Sequence, residues 1–138
     1  MHHLNAAEIK QFELFRQLSA EQWTEVYPLF HHLWLIEGEQ LIRQKDRAHT
    51  FFILLHGHFM IHYEEGRAVT LKEKGDIMGW SSVITPFEYT ASVTALTDAE
   101  VLAIPGARFL ELIQNNAALG EKMVKKIIEI IHKRPAIE

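Results

Sequence analysis

Between Gly75 and Ala95 the chain reads GDIMGWSSVITPFEYTASVTA, and this stretch carries the residues best suited to holding a small molecule. The residues after Gly79 offer backbone N–H groups, and Ser81, Ser82 and Thr90 offer hydroxyls. Trp80 and Tyr89 offer flat apolar faces with one polar handle each, and Ala91 leaves room beside them. No Lys, Arg or His stands between Trp80 and Ala95, so an anionic ligand finds no side-chain counter-ion here. That inventory suits a neutral or weakly anionic, partly planar molecule. The same residues also allow a filled pocket, with Trp80 and Tyr89 folded inward as core.

The histidines raise a different chemistry. The chain has nine of them, and His56-Gly57-His58 followed by Glu64 resembles the metal-binding HxH…E motif of cupins. The interval from His58 to Glu64 is longer than that motif uses, and only His132 follows His62. Strand alternation sets His58, Met60 and His62 opposite Phe59, Ile61 and Tyr63, with His58 and His62 about 13 Å apart. A shared metal is not expected there, and a cupin-like metal-dependent enzyme is the weakest reading. His31 and His32 read as one surface ring and one partly buried ring. Ser81 and Ser82 lack a nearby His-Asp partner and the nucleophile elbow. Asp76 reads as a turn residue after Gly75 rather than as half of a carboxylate pair with Glu88. There is no P-loop and no dinucleotide fingerprint. The absence of cysteine excludes disulfides and thiolate chemistry. The expectation is a non-enzymatic protein with no cofactor and no metal.

The elements that must position these residues are legible in outline. Asn5 is a cap for a first helix with Ile9, Phe12, Leu14 and Phe15 on its apolar side. Ser19-Ala-Glu-Gln22 fits a capping box, and Leu18 and Trp23 sit at the spacing of a hydrophobic staple, for a helix ending near Leu29. From there the period changes. FHHLWLIE, QLIR, TFFILL, HFMIHY, AVTLKE, DIMGW, YTASVTAL and EVLAI are short strand-like runs punctuated by Gly38, Gly57, Gly66, Gly75 and Asp98. Helical period returns after Ala103. Pro105 reads as the start of a helix through Phe109, Leu110, Leu112 and Ile113, and Asn116 as the cap of a last helix that Pro135 stops. The expected fold is mainly β: an antiparallel β-roll (a jelly roll, or double-stranded β-helix) with N-terminal and C-terminal helices. One domain over residues 1–138 is expected, with helices in 1–29, the roll in 30–104 and helices in 105–134.

This order of elements resembles the cyclic-nucleotide-binding domain family, the sensor half of catabolite-activator-type regulators. The residues that carry the likeness are LFRQLSAEQW, EGEQLIRQKDRAHTFFILLHGHFMIHY, GDIMGWSS and YTASVTALTDAEVLAI, followed by two helices. The resemblance implies that the stretch quoted first is a phosphate-binding cassette, in which a short helix after a glycine turns its free N–H groups toward a cyclic phosphate. It implies Gly79 as that glycine, and Thr90 and Ala91 as the hydroxyl residue and small residue near the cassette's end. Trp80 stands where the family has a ribose-binding Glu, and Tyr89 where it has a phosphate-binding Arg. Losing one Arg–phosphate contact costs roughly 1.5–3 kcal/mol. Tight binding of cyclic AMP or cyclic GMP is therefore not expected. The candidate ligand residues are Gly79, Trp80, Ser81, Ser82, Tyr89, Thr90 and Ala91.

The last helix carries Leu119, Met123, Val124, Ile127, Ile128, Ile130 and Ile131, a wider stripe than covering the roll alone requires. The resemblance implies that it lids the pocket and pairs with its twin in an isologous dimer. Met123, Ile127 and Ile130 are the candidate lid and dimer residues; a monomer with the helix wholly packed on the roll is the alternative. Lys122, Lys125, Lys126, Lys133 and Arg134 are interleaved with Glu121 and Glu129 and read as a solvated face. Too little chain follows for a helix-turn-helix, so direct DNA reading is not expected. With 138 residues, 48% hydrophobic, 23% charged and a net charge of −4, the chain reads as an ordinary cytoplasmic globular protein with no field for nucleic acid. No membrane span or signal peptide is legible. Two functional readings stand. One is a stand-alone sensor domain for an unidentified small molecule; the other is a dimeric protein-interaction module with a filled, vestigial pocket.

Overall fold

The computed structural model describes residues 5–133. Helices α1 (Ala6–Lys10) and α2 (Ala20–Val26) precede the roll, and a 3-10 turn over Tyr27–Leu29 leads into it. The strands are β1 (His31–Leu35), β2 (Gln40–Ile42), β3 (Thr50–His56), β4 (Phe59–His62), β5 (Ala68–Leu71), β6 (Ile77–Met78), β7 (Ser92–Ala95) and β8 (Ala99–Pro105). A second 3-10 turn, Trp80–Val83, follows β6. Helices α3 (Gly106–Gln114) and α4 (Ala117–His132) close the described chain. Pro135, expected to stop α4, lies outside the described residues.

The strands form two four-stranded sheets, ordered β1-β8-β3-β6 and β2-β7-β4-β5. Every pairing is antiparallel, as the roll expectation required. The run TFFILL shows why the roll forms here. Side chains alternate along a strand, and both faces of β3 are covered. Phe51, Ile53 and Leu55 join Leu102 and Ile104 beneath the helices, while Phe52 and Leu54 join Val101, Phe59, Ile61 and Val93 in the interior of the roll. The predicted alternation of HFMIHY holds, with Phe59 and Ile61 buried and Met60 and His62 half-exposed.

The caps appear where the residue types placed them. Ser19 Oγ accepts the Gln22 N–H at 3.1 Å and Gln22 Oε1 accepts the Ser19 N–H at 2.9 Å. Asn5 and Glu8 form the same reciprocal pair at the start of α1. Asn116 Oδ1 accepts the Leu119 N–H at 3.2 Å to open α4. Two boundaries differ from expectation. The first helix stops at Lys10, and three-residue turns carry Phe12, Phe15 and Leu18 onward. Pro105 is the cap of α3 rather than its first helical residue, because it is still paired with Thr50 as the last residue of β8.

Candidate functional site

Gly79 sets the geometry of the site. It sits at φ +79°, in the left-handed region that side-chain-bearing residues avoid. A Cβ there would lie 3.0 Å from Ile42 Cδ1, 3.1 Å from the Thr50 carbonyl oxygen and 3.2 Å from Tyr89 Cε1. The backbone turns at Gly79 into Trp80–Val83, which starts with no side-chain cap.

A cavity of about 410 Å³ opens at this end of the roll. Gly79, Trp80, Ser81, Tyr89, Thr90 and Ala91 line it, so six of the seven predicted ligand residues are brought to one space. The seventh, Ser82, is turned away. It is buried against the start of α3, where a Cβ on Gly106 would lie 2.9 Å from Ser82 Oγ. The turn advances about 120° per residue, and by Ser82 it has carried the side chain away from the cavity that Trp80 and Ser81 line.

Trp80 and Tyr89 line the cavity without filling it, because each is held elsewhere. The Trp80 ring meets Phe51 edge-on at 5.4 Å and Phe109 at 6.1 Å, beneath the helices. Tyr89 reaches across to the start of β3, where its hydroxyl donates to the Thr50 carbonyl at 2.6 Å and accepts the Thr50 N–H at 3.3 Å. Burial pushes the Tyr89 phenol above its ordinary value of 10.0, outweighing the hydrogen bonds from the Thr50 and His49 backbone that pull it down. It is a neutral phenol at physiological pH. Among the described residues the cavity lining contains no Lys, Arg or His, and Glu88 is the sole carboxylate there.

The candidate lid residues lie away from the cavity lining. Met123, Ile127 and Ile130 are 1%, 0% and 8% exposed, and they pack with Phe15, Leu102 and Phe109 on the outer face of the first sheet. None of them lines the cavity; Ile131 is the residue of α4 that does. By their spacing residues 123, 127 and 130 share one side of the helix, and Ile131 lies roughly 70° round from its centre. The exposed large apolar residue of α4 is Ile128, at 44%. Sequence reasoning also missed Ile42, Met78, Ile84 and Val93, which line the cavity from separate elements. Ile61 and Tyr63 were legible, since alternation aimed them inward.

The histidines are dispersed. His62 Nε2 pairs with Thr94 Oγ1 at 3.0 Å, and His32 Nδ1 with Glu100 Oε2 at 2.9 Å. Among the described residues no group of three His, Cys, Asp or Glu side chains could hold a metal ion. None of the described helices is long and apolar enough to cross a membrane.

This architecture has relatives. The family model for the cyclic nucleotide-binding domain matches residues 33–116, from β1 to the cap of α4. A candidate cyclic nucleotide-binding protein from Geobacter metallireducens GS-15 superposes with a TM-score of 0.86 at 26% identity, covering 96% of this chain and 98% of that one. The sensor domain of the transcriptional regulator DNR from Pseudomonas aeruginosa gives 0.75 at 20% identity, covering 94% of each chain, a likeness of fold. In sequence, the chain is 23% identical over 125 residues to the cGMP-dependent protein kinase egl-4 of Caenorhabditis briggsae, spanning 91% of this chain but 16% of the kinase. The match runs through the two sheets and the Gly79 turn that build the cavity, and the chain belongs to the cyclic nucleotide-binding domain family of ligand-binding regulatory domains.

Proposed function

We propose that this chain is a single non-enzymatic sensor domain whose cassette cavity takes a neutral or weakly anionic, partly planar small molecule and does not hold cyclic AMP or cyclic GMP tightly. The observation that carries the reading is an open cavity of about 410 Å³ whose lining, among the described residues, holds no cation. Tyr89, at the position the family gives to its phosphate-binding Arg, spends its hydroxyl on the Thr50 backbone. Trp80, at the position of the ribose-binding Glu, has no carboxylate to offer. The volume lies within the roughly 300–1,000 Å³ of small-molecule sites, and its walls are mostly apolar. The retained backbone turn at Gly79 supplies N–H donors for a polar edge of the ligand.

Ligand contact with Ile131 is the route by which occupancy shifts α4, since only contacts that differ between two states move an equilibrium. A homodimer through α4 is part of this reading. With Met123, Ile127 and Ile130 packed on the roll, it would be built on Ile128 and its neighbours. Residence in the cytoplasm, action without direct DNA binding and residues 1–138 as one domain complete the proposal. The interaction-module reading needs a filled pocket, and the open cavity favours the sensor.

Calorimetric titration with cyclic AMP and cyclic GMP tests the proposal, alongside native mass spectrometry of the purified protein for a co-purifying small molecule. The unmodified protein is expected to bind both nucleotides weakly or not at all. Tyr89→Arg is expected to tighten nucleotide binding by about ten- to a hundredfold, the equivalent of about 1.5–3 kcal/mol for a charged hydrogen bond. A submicromolar dissociation constant for either nucleotide in the unmodified protein overturns the ligand assignment.

A further inference from the structure

Behind the cassette turn, away from the ligand cavity, lies a second hollow of about 230 Å³, lined by Arg47, His49, Ser82, Phe87, Ala107 and Leu110. Its floor holds an unusual group. Ser82 is 3% exposed, and its hydroxyl has no hydrogen-bond partner. A buried donor left unmatched is costly, and native proteins keep few of them.

The nine-residue helix α3 begins at the same place. Its cap, Pro105, offers no side-chain acceptor, and its first turn contains no acidic residue. The Gly106 N–H is used by the His49 carbonyl at 2.8 Å. The N–H groups of Ala107 and Arg108 are too early in the helix to have an intrahelical acceptor. The positive end of the helix dipole is therefore uncompensated at the hollow. The Arg47 guanidinium in the wall repeats that sign: among the described residues no acidic side chain lines the hollow, and Arg47 makes no ion pair with any of them.

We propose that this hollow binds an oxyanion, a phosphate or carboxylate group, held by the N–H groups of Ala107 and Arg108, the Ser82 hydroxyl and the Arg47 guanidinium. An oxyanion there would satisfy the hydroxyl, the helix N–H groups and the guanidinium together. The hollow is smaller than the space a whole drug-sized ligand needs, and it suits a single charged group. The site is separate from the cassette cavity and stands whether or not that cavity takes the ligand proposed above.

The test uses the ¹⁵N-labelled full chain, titrated with sodium phosphate and, separately, sodium acetate at an ionic strength held constant with sodium chloride. The amide signals of Ala107 and Arg108 are expected to shift and saturate at millimolar anion, and the tighter of the two salts identifies the group. Arg47→Gln, an exposed change, is expected to weaken that binding at least tenfold. Ser82→Ala is expected to raise the melting temperature of the anion-free protein, by removing an unmatched hydroxyl, while weakening anion binding several-fold. Shifts that never saturate overturn the proposal. So does saturation unchanged by Arg47→Gln, or a Ser82→Ala protein that binds as the unmodified one does.

Discussion

The two faces of the β1-β8-β3-β6 sheet are built from alternate residues of the same strands, yet they end differently. The outer face is closed. Phe51, Ile53, Leu55, Leu102 and Ile104 meet α4 and the N-terminal helices, and the rings of Phe51, Trp80 and Phe109 interlock edge to face at 5.1–6.1 Å. The inner face is dry along Phe52, Leu54 and Val101 but opens into the cassette cavity at its Met78 end. A cavity wall forfeits packing contacts, so something else must hold it in shape. Here the closed face does that, because Trp80 is gripped from behind while its other edge faces the cavity.

Loss of the support should be the largest effect. Phe109→Ala removes a ring that is 1% exposed and touches both Phe51 and Trp80. It is expected to cost about 3–5 kcal/mol in urea unfolding. A cost under about 1 kcal/mol would mean that the outer face does not hold the cassette turn.

Gly79→Ala strikes the inner face. Placing a side chain at φ +79° costs about 1–2 kcal/mol, with further crowding from the contacts at 3.0–3.2 Å. Unfolding midpoints should fall accordingly, and any ligand found for the cavity should be lost with them. Undiminished ligand binding would show that the turn can form without glycine.

Tyr89→Phe separates anchoring from filling. It keeps the ring but removes the hydrogen bond to Thr50, for an expected loss of about 1 kcal/mol at neutral pH. Because the folded phenol titrates above its ordinary 10.0, the unfolded chain releases its proton first as pH rises. The Tyr89 contribution is therefore complete below 10.0 and is lost as pH climbs through the higher folded value. The stability gap between the unmodified protein and Tyr89→Phe should narrow in that alkaline range; a constant gap would contradict the assignment.

The smallest effect belongs to the helix end. Glu13 Oε2 accepts from Lys133 at 2.7 Å and lies 3.8 Å from Lys126, tying the N-terminal segment to α4. The Lys133 hydrogen bond, chiefly, holds the Glu13 carboxyl below its usual 4.5, so its contribution is present above 4.5 and fades as pH falls through the lower folded value. Glu13→Gln is expected to cost a few tenths of a kcal/mol, since both partners are partly solvated and screened. Above pH 6 this should appear as a small fall in melting temperature, and the difference should shrink as pH falls through the lower folded value.

Much of the fold is legible residue by residue. Ser19 with Gln22, and Asn116 with Leu119, mark helix starts because a cap is made by residues two or three apart. Phe59 and Ile61 announce their face because pleating alternates whatever the strand's partner. The cassette residues are legible because they sit close together in the chain. Ser82 is not, since its direction depends on the rotation of a 3-10 turn that composition does not reveal. The apolar stripe of α4 says that a face is covered but not by what, and for Met123, Ile127 and Ile130 the cover is the roll and the N-terminal segment.

Local chemistry alone, then, decides the helix caps, the strand periods and the lack of a basic side chain between Trp80 and Ala95. Those depend on neighbours within a few residues, or on residue type alone. Only the folded chain decides that both rings line an open cavity, that Ile131 rather than Met123 or Ile127 reaches its wall, and that Ser82 faces a second hollow. Each of those outcomes follows from which distant strand or helix arrives against the side chain, and antiparallel pairings such as β3 with β8 set that across some fifty residues of chain.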